Sequence, residues 1–188
     1  MTDSQQSSGL WRTLFLIFFL TNCWLWMQGV HEFGHVLGAL CSNGHVKCVV
    51  WHFAAISRTD VMPNPHPLLV CWAGPVTGSF LPALASALLR NSKPLRFFAG
   101  FCLIANGAYI SVGSIDRVGD AGELLKLSTP GWALWLAGGI AIFTGFWIWH
   151  RMGSIGKFKQ WTTPSSSVRF QAGLLAATVG LQLVLFSM

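Results

Sequence analysis

The chain has 188 residues, of which 53% are hydrophobic and only 10% charged, against about 25% charged in an ordinary soluble domain. That balance cannot cover a water-facing surface, so it excludes a soluble fold and points to an integral, multi-pass membrane protein. The net charge of +6 is scattered between apolar runs with no aromatic-basic groove pattern; no nucleic-acid partner is expected, and the cations read as loop charges that set topology.

The amino-terminal stretch Asp3–Ser8 is polar and reads as a disordered tail. An uncharged run from Thr13 to Val30 follows, entering the motif His31-Glu32-Phe33-Gly34-His35 and continuing to Cys41. The head lacks positive charge and no small-x-small cleavage site precedes His31, so the run reads as a retained span rather than a signal peptide. As one helix, Thr13 to Cys41 would extend about 44 Å, too long for an upright crossing of a hydrocarbon core of about 30 Å. Gly34 and Gly38 form a GxxxG pair that lets another helix approach closely.

Val46–Phe53 is rich in β-branched and aromatic residues and is expected to be a strand, with Ala54–Ser57 as its return; together they predict a small β-hairpin at the membrane surface. Met62–Pro67 is an irregular connection. Further apolar segments follow at about 67–89, 97–115, 130–149 and 170–188, none containing Asp, Glu, Lys or Arg, with Thr162–Ser167 as a loop. Tryptophans toward segment ends suggest interfacial belts. The expected architecture is an all-α polytopic membrane protein: one membrane-embedded domain over 1–188, with about five transmembrane helices (the first over 13–41) and the hairpin.

Five spans place Arg12, Arg90, Lys93, Arg96, Arg151, Lys157, Lys159 and Arg169 on one side, and Lys47, Arg58, Arg117 and Lys126 on the other. Positive-inside reasoning puts the amino terminus in the cytoplasm. The five cysteines form no CxxC pair; Cys41 and Cys48 are near enough in sequence to pair across a short loop.

The motif carries the chemistry. Residues i and i+4 of a helix lie one turn apart on the same face, so His31 and His35 can grip one metal ion while Glu32 serves as general base. Ionisable groups in a membrane helix are costly and mark function. Catalytic zinc takes three protein ligands, so a third His, Glu or Asp must come from elsewhere; His45, His52, His66 and His150 read as interfacial, and the acids on offer are Asp3, Asp60, Asp116, Asp120 and Glu123. Asp3 lies in the polar head, and Asp60 reads as a solvated loop charge. The first and third spans run in the same direction, which brings the segment Ser114–Leu125 to the motif's side. Asp120 is favoured there, because Gly119 and Gly122 permit a close backbone approach, although capping a helix from Ala121 would also explain it. Asp116, beside Arg117, remains the alternative.

HExxH on an apolar helix, Ala73-Gly74-Pro75 in the next span and Gly119-Asp120-Ala121-Gly122 further on together resemble the site-2 protease family of intramembrane zinc metalloproteases. The resemblance covers roughly Trp11 to Leu125. It implies one zinc ion per chain held by His31, His35 and Asp120, Glu32 as general base, membrane proteins with a transmembrane helix as substrates, and access from the cytoplasm. The charge count instead places Glu32 and Asp120 toward the extracytoplasmic half. Thr77-Gly78 stands where the family often has asparagine, and Asn106 lies well upstream of Asp120. Asn106 reads as a packing residue, His45, His52 and His66 as interfacial histidines that could also serve an oxyanion. The alternative is an inactive protease relative acting as chaperone or regulator of membrane clients. Metal transport is disfavoured, since it needs ionisable residues in several spans.

Overall fold

The computed structural model describes residues 3–53, 55–153 and 165–186. Helix α1 runs unbroken over Asp3–Cys41. Strands β1 (Val46–Val50) and β2 (Arg58–Val61) follow, then α2 (Pro67–Leu88), α3 (Lys93–Asp116), the short α4 (Gly119–Lys126), α5 (Gly131–Arg151) and α6 (Ser165–Phe186). Four helices are long and apolar enough to cross a membrane among the described residues: Gly9–Cys41 within α1, and α2, α3 and α5. The expected fifth span, 170–188, falls largely within α6; its last two residues lie outside the described residues.

Three expectations need correction. Asp3–Ser8 is not a tail but the first turns of α1. No proline interrupts it, and extending an existing helix costs little once nucleated. Ser165–Ser167 likewise belongs to α6 rather than a loop; 162–164 lie outside the described residues. The return strand is Arg58–Val61, not Ala54–Ser57. Ser57 is diverted to α1, where its N–H and hydroxyl donate to Gln28 Oε1 at 2.8 and 3.0 Å, so antiparallel pairing begins one residue later, Val50 opposite Arg58. Cys41 and Cys48 are both free thiols.

Helix ends follow local chemistry. Pro67 opens α2, where a missing N–H costs nothing. Ser92 caps α3 by accepting from Leu95 N–H at 3.4 Å. Arg117, with φ 54°, ends α3 in the left-handed region.

The order of contacts along each pair shows α1 antiparallel to α2 and α3 antiparallel to α5. His35 near the end of α1 meets Val70 near the start of α2. Trp149 near the end of α5 bonds Phe97 O near the start of α3 at 3.0 Å. The α3–α5 seam is built on facing glycines: a Cβ on Gly107 would meet Gly138 O at 2.7 Å, and one on Gly145 would meet Gly100 O at 2.7 Å. Side chains such as Trp132 and Phe143 on α5 point outward, 69% and 70% exposed, the pattern of a surface that faces hydrocarbon.

Candidate metal centre

Because α1 passes through the motif without a break, His31 and His35 stand one turn apart on one face, both buried. Their rings meet edge to face with centroids 4.9 Å apart, and their Nε2 atoms are 3.2 Å apart. The first turn of α4 delivers Asp120, whose Oδ2 lies 2.8 Å from His31 Nε2 and 3.3 Å from His35 Nε2. The three ligand atoms all lie within 4.8 Å of one another, so the cluster could hold a metal ion. Asp116 is exposed at the end of α3. The alternative role for Asp120, capping α4, is not what it does: the helix starts at Gly119, and the cap position Val118 makes no side-chain bond.

The remaining ring nitrogens decide what the cluster offers. His31 Nδ1 is 2.6 Å from Asn106 Oδ1. Asn106 Nδ2 donates to Cys102 O at 2.9 Å, which fixes the amide so that its oxygen faces the histidine. His35 Nδ1 is 2.8 Å from Val70 O. Both partners are acceptors, so both Nδ1 atoms carry the proton and both Nε2 atoms present lone pairs. Two lone pairs and a carboxylate thus converge with no hydrogen between them. Such an arrangement could hold a cation, and a bond on the far nitrogen is how metal-binding imidazoles are held.

Small residues make the approach possible. A Cβ on Gly34 would fall on Ala73 O and lie 2.8 Å from Thr77 Cβ, and one on Gly38 would lie 2.6 Å from Ala73 Cβ. The GxxxG pair therefore seats α1 against α2 as its spacing suggests. On α2 the small residues answer back: a Cβ on Gly74 would strike the His35 ring, and one on Gly78 would lie 2.9 Å from the Asn106 amide.

Glu32 is buried, and Thr59 Oγ1 in β2 donates to its Oε2 at 2.6 Å. The sheet is fastened to α1 just below the motif by Ser57 and by Trp51 Nε1, which donates to Leu25 O at 3.1 Å. Histidines, acid and Asp120 share a cleft of about 1110 Å³, walled by α1, β2, α2, α3 and α4. All four β2 residues line it, against Lys47 alone from β1, so the unpaired edge of β2 borders the cleft. His45, His52 and His66 do not line it.

Three contributors escape a reading of the sequence: Asn106, Thr59 and Tyr109, whose hydroxyl accepts the Asp120 N–H at 3.2 Å. For Asn106 a signal existed, a lone amide in an uncharged run; for Tyr109 it was being the only tyrosine. No protein-family model, no curated protein and no solved structure matches the chain.

Proposed function

We propose that this protein is an intramembrane zinc metalloprotease that hydrolyses peptide bonds in or near transmembrane segments of other membrane proteins, in the manner of the site-2 protease family. The observation that carries the reading is the convergence of His31 Nε2, His35 Nε2 and Asp120 Oδ2 beside a buried Glu32. Two imidazoles and one carboxylate make a donor set that suits catalytic zinc and leaves a fourth position open. In this reading α6 is the fifth span. Arg12, Arg90, Lys93, Arg96, Arg151 and Arg169 gather at the cytoplasmic end, and the cleft lies toward the other face.

His31, His35 and Asp120 would hold a zinc ion, which would acidify a bound water toward neutral pH and polarise the neighbouring carbonyl. Glu32 takes a proton from the attacking water and returns it to the leaving nitrogen. Thr59 holds one oxygen of that carboxylate still. Asn106 and Val70 O keep the two imidazoles turned so that Nε2 faces the reacting centre. A helical substrate hides its carbonyls, so cleavage needs a locally extended peptide, and the unpaired edge of β2 can receive one as an added strand.

The test is cleavage of model transmembrane substrates by detergent-purified protein, with Glu32→Gln alongside. Wild type should cut, and the variant should lose about 10²–10⁴-fold in rate while keeping zinc. A zinc-loaded wild type no faster than Glu32→Gln across a panel of such substrates would overturn the reading in favour of a protein that holds membrane clients without cutting them.

A further inference from the structure

The carbonyl oxygen of a peptide under attack gains negative charge, and proteases meet it with fixed hydrogen-bond donors. We propose that Tyr109 is a catalytic residue of this protein, its hydroxyl donating a hydrogen bond to that oxygen. The inference rests on the protease reading above.

Tyr109 is the chain's only tyrosine. It projects from α3 into the cleft, half-buried, with its ring edge-on to His31 at a centroid distance of 5.6 Å. Its oxygen accepts the backbone N–H of Asp120 at 3.2 Å. A phenol has one proton to give, and here it has no acceptor among the described residues. The accepted bond therefore fixes the oxygen beside two members of the ligand cluster and leaves the proton free to point into the cleft.

The backbone keeps room for it. Gly119 has φ 54°, and any side chain there would fall on the Tyr109 hydroxyl. One residue thus meets two demands, the left-handed turn into α4 and space for the phenol. Of the other donors nearby, Thr59 is committed to Glu32 and the Asn106 amide to Cys102 O; Gln28 Nε2 also lines the cleft without a partner among the described residues, but it lacks the contacts with His31 and Asp120 that fix the Tyr109 hydroxyl beside the cluster. Phenol ionises near pH 10, so at neutral pH the proton is present. No proton transfer is required of it. The water's proton travels through Glu32 to the leaving nitrogen, and the hydroxyl keeps its own.

The experiment compares wild type with Tyr109→Phe in three readouts: zinc per chain, kcat and KM on a model transmembrane peptide, and affinity for a blocked apolar phosphonamidate peptide, whose charged tetrahedral oxygen imitates the attacked carbonyl. Expected are unchanged zinc, nearly unchanged KM, a fall in kcat of about 10²–10³-fold, and a phosphonamidate affinity lowered in parallel. Feeding 3-fluorotyrosine labels this one position in otherwise intact protein, and its fluorine resonance should shift when the phosphonamidate binds. Loss of zinc in Tyr109→Phe, with kcat restored by added metal, would make the residue a prop for Asp120 and overturn the proposal. So would unchanged kcat, or a fluorine signal indifferent to the analogue. A wild type that binds zinc but neither cuts nor takes the analogue overturns the protease reading itself, and this proposal with it.

Discussion

The two halves of α1 are packed by different means. Below the motif the helix is held mainly by volume: Phe15 stacks on Phe19 at 5.6 Å, Phe19 meets Phe97 at 5.2 Å, and Cys23 and Val168 complete the cluster, with one buried polar tie from Asn22 Nδ2 to Gln171 at 3.0 Å. Above Leu25 that filling gives way to Gln28, His31, Glu32 and His35, all buried, with glycines where α2 passes. Aromatic filling tolerates exchange of one shape for another. The upper half is set by close backbone approach and by hydrogen bonds with single solutions. The helix is continuous, so the lower half serves as a rigid mount for the upper, and sensitivity to substitution should rise steeply along it.

Substitutions can break that contrast, and the largest effect is expected at the chemistry. Glu32→Gln should abolish most cleavage while zinc stays bound, because the acid contacts Thr59 rather than the ligand cluster. Gly74→Ala comes next. Its methyl would press on the His35 ring, and about 1–3 kcal/mol of overpacking should raise the zinc dissociation constant about ten- to a hundredfold, measured by competition with a chelator. Asn106→Ala removes the partner that fixes His31 and should weaken zinc about 10–100-fold; unchanged affinity would return Asn106 to plain packing. Thr59→Val frees Glu32 Oε2 and should lower kcat roughly tenfold, in keeping with a bond to a charged group of about 1.5–3 kcal/mol, with zinc content constant. Phe19→Leu, in the lower half, should cost about 1 kcal/mol of thermal stability and leave zinc binding untouched. A large zinc defect from Phe19→Leu would erase the distinction between the halves.

What the sequence reveals follows from what is local. The HExxH pair needs only helical spacing, and it stands where i and i+4 place it. Three of the apolar runs end within a few residues of α2, α3 and α5. Asp120 was open to argument because two glycines flank it and because the first and third spans share a direction, a topological constraint rather than a contact. The sheet was legible in kind but not in register, since its return strand is set by Ser57 bonding to a glutamine on α1. Asn106, Tyr109 and Thr59 were not found, and they share a reason. Each acts across an interface between elements, at a register that no periodicity along a single segment encodes. Gly74 and Gly78 belong with them: they make room for His35 and for Asn106, which lie on other helices.

The most direct test of the account is the zinc content of detergent-purified wild type, with His31→Ala, Asp120→Ala and Asp116→Ala measured in parallel. The account predicts about one zinc per chain in wild type, lost in the His31 and Asp120 variants and kept in the Asp116 variant, whose side chain is exposed away from the cluster. A folded wild type that takes up no zinc even when supplied with it, or an Asp120 variant that keeps it, would contradict the assignment of this centre.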